Sequence, residues 1–285
     1  MDYGIFKIIR TVLISAFVSL LMCVNVSADP QAVEADGIMT VDLIFFAGQS
    51  NMSGTGGNAS EAPAVPHGHG YEYRNGMDPA GMYEVVEPFG VRENGYLSDP
   101  DGIRFGTLVS AFMNKYYAAT GVPVLGVSIA RGGSALATYW TSQPVKAELV
   151  SKYDSAVAWC KSNHVKIRKQ YLVWLQGESD AMNGLDADTY GALLEQEFTP
   201  LFAKGLQQVF VITPGNLVGS PGLYDSIIQG QKSLCAKNMK FTLASERLHN
   251  LPDVYLADGI HYNQKALNMV GEEAATVAAS YSKLH

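Results

Sequence analysis

The chain has 285 residues, of which 47% are hydrophobic and 16% are charged, a composition typical of globular proteins rather than of disordered or fibrous ones. A chain of this length can bury a sizeable core within one large domain. Its formal net charge of −7 argues against a general nucleic-acid-binding surface, which requires a basic patch.

The N-terminal stretch has the pattern of a secretory signal peptide. Lys7 and Arg10 precede the apolar run TVLISAFVSLLMCVNV, and the small residues of VSADP follow it. This pattern predicts cleavage after Ala28, export to the periplasm or the medium, and one folded domain over residues 29–285. An uncleaved membrane anchor is the alternative. Because the apolar run is short for a span and no charged stop follows it, cleavage is favoured.

Apolar runs alternate with helix-like stretches along the rest of the chain. Four continuous apolar runs, rich in β-branched and aromatic residues, predict strands at 41–47, 122–130, 170–176 and 208–213. Apolar residues three and four positions apart predict helices at 105–120, 145–162, 186–206, 222–238 and 263–284. Asn263 is the expected N-cap of the last helix. The alternation predicts a parallel sheet covered by helices on both faces.

Two cysteines remain after the predicted cleavage, Cys160 and Cys235, and both lie in predicted helices. In an exported protein they can form one disulfide or stay as buried thiols, and the sequence leaves both possibilities open. No Cys/His cluster has the spacing of a metal site, so neither a metal nor another cofactor is predicted.

Residues 54–104 are the exception to the regular pattern. They are rich in Gly, Pro, His and Tyr and show no clear periodicity. Such a long irregular segment is often functional, and this one follows the first strand at its carboxyl end. In open α/β sheets, ligands bind at that edge.

The stretch IFFAGQSNMSG runs from an apolar strand directly into a small polar cluster. Ser50 lies there, two residues after Gly48. A serine at such a junction is more often a turn or cap residue, and it becomes a nucleophile only where a base takes its proton. Near the other end of the chain, Asp258 precedes His261 by three residues, so the carboxylate can orient the imidazole and leave one ring nitrogen free. Alone, this pair is better explained by a turn cap beside a surface histidine.

Two further loops follow predicted strands. Gly132 and Gly133 are adjacent, which lets a backbone N–H approach a ligand closely. Gln176 closes the third strand, two residues before Glu178, and its amide can donate a hydrogen bond. Taken singly, each loop is better explained as an ordinary turn. Together the four loops lie at one edge of the predicted sheet and supply a nucleophile, an oriented base and oxyanion donors, the set that acyl transfer needs.

These motifs resemble those of the SGNH hydrolase superfamily and, more narrowly, carbohydrate esterase family 6 and the sialate O-acetylesterase-like domains. The matching blocks are GQSNM at 48–52, RGGS at 131–134, QGESD at 176–180 and DGIH at 258–261. The resemblance extends over roughly residues 41–280. It implies a flavodoxin-like three-layer α/β/α sandwich and ester hydrolysis without a metal or cofactor.

Carried over by position, the resemblance makes Ser50 the nucleophile, His261 the base and Asp258 the acid that orients it. Glu178 is a second candidate for that acid, because it lies in the QGESD block. The local link between Asp258 and His261 favours Asp258, and Glu178 is then expected to brace the loop around Ser50.

The resemblance also implies an oxyanion hole. Its donors would be the Ser50 N–H, a backbone N–H at Gly132 or Gly133, and the Gln176 side chain. Arg131, before the glycines, stands where related proteins usually have an apolar or small residue, and residues 54–104 lack a clean match to the family's glycine-proline segment. Both departures concern specificity more than the type of reaction.

The substrate implied by the resemblance is an acetylated carbohydrate, either a xylan-type oligosaccharide or a sialic acid. Aromatic residues of the crevice loops can stack on sugars or simply pack the loops; they are Tyr71, Tyr73, Tyr83, Tyr96, Tyr139 and Trp140. The alternative functions are a lipase-like esterase or thioesterase, and a carbohydrate-binding relative without catalysis. The sequence predicts no nucleic-acid partner, no membrane association after cleavage, and no particular oligomeric state.

Overall fold

The structure is a computed structural model that describes residues 38–76, 79–93, 95–99 and 103–285. The predicted signal peptide and its cleavage site lie outside these residues. Within the described ranges, no helix has the length and apolar character needed to cross a membrane.

A mostly parallel sheet forms the centre of the described chain. Its seven strands are β1 (Thr40–Gly48), β2 (Gly70–Arg74), β3 (Gly81–Glu84), β4 (Val124–Ala130), β5 (Lys166–Leu175), β6 (Gln208–Ile212) and β7 (Phe241–Ser245). Their spatial order is β3-β2-β4-β1-β5-β6-β7. Only the edge pair β2–β3 is antiparallel. Strand β1 is therefore central, and the loop after it opens at the middle of the carboxyl edge.

Helices cover both faces of this sheet. They are α1 (Ser50–Ser53), α2 (Val109–Thr120), α3 (Gln143–Ser162), α4 (Glu178–Met182), α5 (Ala187–Lys204), α6 (Asp225–Lys237) and α7 (Gln264–Leu284). A π-helical turn spans Leu136–Trp140, and 3₁₀ turns span Ala59–Glu61, Leu248–Asn250 and Asp253–Tyr255.

The continuous apolar character of β1 follows from its position between two cores. Phe45 points to the face covered by α3, α5 and α6, where its ring stacks on Tyr153 with centroids 5.2 Å apart. Phe46 points to the opposite face, where it meets Phe112 of α2 edge to face, also at 5.2 Å. Each buried phenylalanine contributes about 1.5–3 kcal/mol of transfer free energy. The three-layer α/β/α sandwich expected from the sequence is confirmed.

The predicted strands and helices are present, with shifted ends. The Asn263 side chain accepts a hydrogen bond from the N–H of Ala266, as expected of the N-cap of α7. The largest shifts are of four residues: β5 begins at Lys166 rather than at 170, and α2 begins at Val109 rather than at 105. There the Thr107 hydroxyl accepts a hydrogen bond from the Val109 N–H, and the Glu87 carboxylate accepts one from the Thr107 N–H. Side chains outside the helix thus satisfy the first donors and set its start.

Three strands escaped the sequence analysis. Strands β2 and β3 lie within residues 54–104, where no periodic element was expected. In β2, the charged residues Glu72 and Arg74 interrupt the apolar run that would indicate a buried strand. Both are nevertheless buried, and they pair with each other at 2.7 Å. Strand β7 is short and half polar. Strand β2 packs into the core through Tyr71 and Tyr73, which alternate with Glu72 and Arg74.

Both remaining cysteines are free thiols. Cys160, on α3, is fully buried in the core, and Cys235 is half-buried on α6. Burial raises the pKa of each thiol to about 12, which disfavours the reactive thiolate. Of the two possibilities that the sequence left open, the structure shows free thiols.

Candidate active site

Ser50 begins α1 immediately beyond the central strand. Gly48 has a φ of +149°, and a Cβ at this position would lie 1.9 Å from the carbonyl oxygen of Leu175, so only glycine fits where the chain leaves the sheet. Gln49 donates its N–H to that same carbonyl at 3.1 Å. Within the described residues, neither the N–H nor the Oγ of Ser50 has a hydrogen-bond partner. The serine therefore presents an open donor and an open hydroxyl at the edge of the sheet.

Asp258 and His261 form the contact that their spacing predicts. Asp258 Oδ2 lies 2.7 Å from His261 Nδ1, and Asp258 Oδ1 accepts the N–H groups of His261 at 2.8 Å and of Ile260 at 3.1 Å. Burial by itself would raise the pKa of Asp258, but these hydrogen bonds outweigh it and lower the pKa below its usual value. The carboxylate is therefore held charged, and it leaves Nε2 of the imidazole free to act as a base.

Asn51 joins the serine helix to the histidine loop. Its Oδ1 accepts the N–H of Tyr262 at 2.9 Å, and its Nδ2 donates to the carbonyl oxygen of Ile260 at 3.4 Å. A Cβ added at Gly56 would lie 2.7 Å from the Cβ of His261, so the segment after α1 also packs directly on the histidine. In this structure Ser50 and His261 make no hydrogen bond with each other, as is often the case in unliganded sites. Asn51 nevertheless fixes their two loops side by side.

Glu178 also forms a hydrogen bond with Asn51. Its Oε1 accepts Asn51 Nδ2 at 2.7 Å, while its buried Oε2 has no partner among the described residues. Burial raises the pKa of Glu178, and the hydrogen bond from Asn51 opposes that shift. Glu178 makes no hydrogen bond with His261 in the described part of the chain. Its hydrogen bond to Asn51 is consistent with the expected role of bracing the loop around Ser50, whereas Asp258 contacts the imidazole of His261.

Gln176 lies beneath the site in a fully buried network. Its Nε2 has three acceptors, namely Gln49 Oε1 at 3.1 Å, the Ser134 carbonyl at 3.1 Å and Asp180 Oδ2 at 2.5 Å. Its Oε1 accepts the Tyr190 hydroxyl at 2.8 Å. An amide has only two N–H bonds, so none is left without an acceptor. Direct donation from Gln176 to a substrate would require one of these bonds to be exchanged.

The glycine turn lies directly beside the serine. A Cβ added at Gly132 would be 3.5 Å from Ser50 Cβ. The Gly132 N–H donates to both carboxylate oxygens of Asp99, at 2.8 and 3.0 Å. Gly133 has a φ of +67° and is exposed, and its N–H has no partner within the described residues. The two glycines that the sequence treats as alternatives therefore differ: Gly132 is occupied and Gly133 is open.

The six aromatic residues that the sequence offers for sugar stacking are partly accessible at the site and partly buried in the core. Tyr96 is 57% exposed, and its carbonyl accepts the hydroxyl of Tyr139, over whose ring the Arg131 guanidinium lies at 5.7 Å. Tyr73 and Trp140 are buried in the core. Tyr71 is also buried, so only Tyr83, Tyr96 and Tyr139 of the six candidate sugar-stacking residues are accessible.

Asp99 and Asp180 were not anticipated from the sequence, and Asn51 was expected to brace its turn without any indication of its partners. The motif GQSNM contains Asn51, but its partners are more than a hundred positions away. Asp180 accepts the N–H groups of Leu136 and Ala137 and so holds the end of the glycine block. Asp99 lies in the irregular segment, where no pattern distinguishes it from other loop residues.

Two cavities on the described surface lie away from the predicted site residues. A cavity of about 980 Å³ lies between α5, α6 and β7 and contains none of the predicted site residues. A second, of about 570 Å³, lies beside residues 216–225 and includes His249 and Asp253. The chemical arrangement, rather than cavity size, therefore identifies the candidate active site.

Comparisons with known proteins found one matching family profile and several similar solved structures. A family profile described as "SASA: Carbohydrate esterase, sialic acid-specific acetylesterase" matches residues 40–280. Among solved structures, a protein from Arabidopsis thaliana is similar with a TM-score of 0.64 and 20% identity, over 84% of this chain and 98% of that one. A carbohydrate acetylesterase from Xanthomonas citri is similar with a TM-score of 0.54 and 17% identity, over 86% of this chain and 57% of that one. At these identities the two structures show a shared fold. No curated protein sequence matches the chain.

Proposed function

Because the chain belongs to the SASA family of carbohydrate esterases, we propose that it removes acetyl groups from acetylated carbohydrates through an acyl-enzyme on Ser50. The observation that carries this proposal is the 2.7 Å hydrogen bond between Asp258 and His261 Nδ1, on a loop that Asn51 joins to the serine helix. That bond sets the tautomer in which Nε2 accepts a proton.

In the first half-reaction, His261 Nε2 removes the proton of the Ser50 hydroxyl while Oγ attacks the ester carbonyl. The charge of Asp258 stabilises the imidazolium that forms. When the tetrahedral intermediate collapses, the imidazolium gives its proton to the sugar oxygen, and the alcohol leaves. In the second half-reaction, His261 takes a proton from the water that attacks the acyl carbon. The imidazolium then returns a proton to Ser50 Oγ as its bond to the acyl carbon breaks, and acetate leaves.

The negative charge of the tetrahedral intermediate needs donors beside Ser50. In the resting site the Ser50 N–H and the Gly133 N–H are available for this role, because both lack partners within the described residues, whereas the Gly132 N–H is bonded to Asp99. In this proposal Gln176 acts from below: its bonds to Ser134 and Gln49 hold the glycine turn and the serine loop in place. Such prepositioned donors are usually worth 10²–10³-fold in kcat each, as an approximate range.

The sugar specificity of the site is also part of the proposal. The exposed Tyr96, together with Tyr139 and Arg131, forms a rim next to the glycine turn on which a sugar ring can stack. Acetyl as the acyl group is supported by the family to which the chain belongs. We also propose export through the N-terminal signal, testable by finding Asp29 at the N-terminus of protein recovered from the culture medium or periplasm.

The decisive experiment measures acetate release from acetylated xylan, acetylated pectin and O-acetylated sialic acid, with Ser50→Ala as the matched control. Release from at least one substrate by the natural protein, and loss of that release in the variant, is the expected result. A labelled Ser50 after treatment with an organophosphonate would give independent support. Equal release by the two proteins would contradict the assignment of Ser50.

The same assay separates the alternatives. A series of p-nitrophenyl esters from acetate to palmitate distinguishes an acetylesterase, which should prefer the shortest chain, from a lipase-like esterase or thioesterase. Binding of sugars without release of any acyl group, and without labelling of Ser50, would favour a carbohydrate-binding protein that lacks catalysis.

A further inference from the structure

The contact between Asp99 and the glycine turn has no place in the reaction described above. Both oxygens of the Asp99 carboxylate accept the N–H of Gly132, at 2.8 and 3.0 Å. Asp99 is buried, and within the described residues it has no ion-pair partner. A buried anion with a single backbone donor is an unfavourable arrangement for a purely structural residue.

The position of this carboxylate matters because of its distance from the nucleophile. A Cβ at Gly132 would lie 3.5 Å from Ser50 Cβ and 3.5 Å from Asp99 Oδ1, so serine and carboxylate flank the same glycine. An oxyanion that used the Gly132 N–H would need the place that Asp99 oxygen atoms hold. Even an oxyanion bound only by Ser50 and Gly133 would form close to a like charge, which disfavours it.

A second place for the Asp99 charge exists nearby. Arg104 is buried, and its guanidinium donates to the carbonyl oxygens of Phe89 and Ala130, at 3.2 and 2.5 Å, but its buried Nε has no acceptor within the described residues. Burial lowers the pKa of Arg104, and among the groups that oppose this shift Asp99 has the largest effect. The negative charge of Asp99 therefore already interacts with the Arg104 guanidinium, whose Nε–H has no acceptor within the described residues.

We propose that Asp99 is an internal competitor for the oxyanion hole, which occupies the Gly132 N–H in the resting site and must yield it, toward Arg104, when the tetrahedral intermediate forms. The inference rests on the proposed esterase activity of Ser50. It assigns to Asp99 the role of limiting the rate of acylation. Removing the carboxylate should then accelerate the reaction, the opposite of what a positioning residue would do.

The test compares Asp99→Asn and Asp99→Ala with the natural protein, using kcat/KM for p-nitrophenyl acetate and the second-order rate of Ser50 labelling by an organophosphonate. Both rates should rise by about 10-fold in Asp99→Ala, a fraction of the effect known for one oxyanion donor. They should rise less in Asp99→Asn, whose amide oxygen can still accept from Gly132. Glu148→Gln is the matched control, because Glu148 holds the N–H groups of Tyr96 and Leu97 in the same segment. It should leave both rates within about 2-fold, a change of less than 0.5 kcal/mol.

The outcomes are distinct. Unchanged or lower rates in folded Asp99 variants would overturn the inference and leave Asp99 as a residue that shapes the turn, with Gly133 as the donor. If Asp99→Ala does not fold, as judged by its melting curve, the nearly isosteric Asp99→Asn decides by the same criterion. A natural protein that neither hydrolyses esters nor reacts with the phosphonate would instead contradict the proposed function itself.

Discussion

Polar groups at the two ends of the central strand differ in whether they have hydrogen-bond partners. At the amino end, Asp42 is fully buried, and its carboxylate accepts the Tyr116 hydroxyl at 2.6 Å and Arg168 Nε at 2.9 Å. The hydrogen bond with Asp42 raises the pKa of Arg168. At the carboxyl end, Ser50 leaves its hydroxyl and its N–H without partners within the described residues.

The difference shows how one strand can serve both stability and chemistry. Buried polar groups usually find partners, because an unpaired one costs about 1–3 kcal/mol. Asp42 follows this rule within the strand, whereas Ser50 lies two residues after Gly48, the glycine at which the chain leaves the sheet. Open donors at the carboxyl edge are tolerated because a substrate can pair with them. Substitutions at the two ends should therefore have different readouts.

The largest expected effect is on activity at the carboxyl end. Ser50→Ala should lower kcat for an acetyl ester by about 10⁴–10⁶-fold, because the nucleophile is lost. Its melting temperature should hardly change, since Ser50 Oγ makes no hydrogen bond in the described structure. Ser53→Ala is the matched control, because Ser53 Oγ donates to the Ser50 carbonyl at 3.1 Å and should affect stability more than rate. A strongly destabilised Ser50→Ala would contradict the comparison.

The next effect concerns the acid that orients the base. Asp258→Asn should reduce kcat by about 10⁴-fold, because the amide cannot hold the imidazole in the same tautomer or stabilise its charge. Glu178→Gln should change kcat by less than about 10-fold, since Glu178 contacts Asn51 and acts on the loop only. Steady-state kinetics of both variants on one ester shows which of the two carboxylates orients His261. An equal or larger loss for Glu178→Gln would move the orienting role to that residue.

At the amino end the expected loss is one of stability. Asp42→Ala should lower the free energy of unfolding by about 3 kcal/mol, because it leaves the Tyr116 hydroxyl and Arg168 without their partner; the low end of the range applies since Arg168 is partly exposed. Urea unfolding measures this loss. Turnover per phosphonate-titrated site should equal that of the natural protein, and a reduced value would mean that the two ends of β1 are coupled.

The smallest effect comes from a buried acid away from both ends. Burial raises the pKa of Glu197 on α5 to about 7, against the opposing charge of Lys146, and neither of its oxygens has a hydrogen-bond partner among the described residues. Because this pKa lies above that of an unfolded glutamate, about 4.3, the folded protein binds more protons between the two values. Stability should therefore fall as the pH rises from about 4.3 to about 7, by at most about 3 kcal/mol.

Glu197→Gln checks this prediction. The variant cannot ionise, so the difference in its free energy of unfolding between pH 5 and pH 8 should be smaller than in the natural protein. Activity per folded molecule should stay the same, since Glu197 lies under α5 beside Lys146, Leu149 and Leu201. A buried carboxylate without a hydrogen bond would then be shown to affect stability alone when no substrate can reach it.

Local patterns were sufficient for most of the framework. Strand β1 and helix α7 were predicted nearly to their ends, because continuous apolarity and 3.6-residue periodicity act within a few neighbouring residues. Strand β2 was missed since its burial depends on the pairing of Glu72 with Arg74 and on contacts from Gly90. A charged strand gives no apolar pattern to recognise.

The sequence by itself determined the type of fold, the edge of the sheet at which chemistry can occur, and the contact between Asp258 and His261, because that pair is only three residues apart. Tertiary structure alone decided that Asn51 clamps the histidine loop and that Asp99 takes the N–H of Gly132 and leaves that of Gly133 open. These contacts join residues 33 and 211 positions apart. The packing of the loops over the edge of the sheet brings these residues together, and no local preference of the chain encodes such contacts.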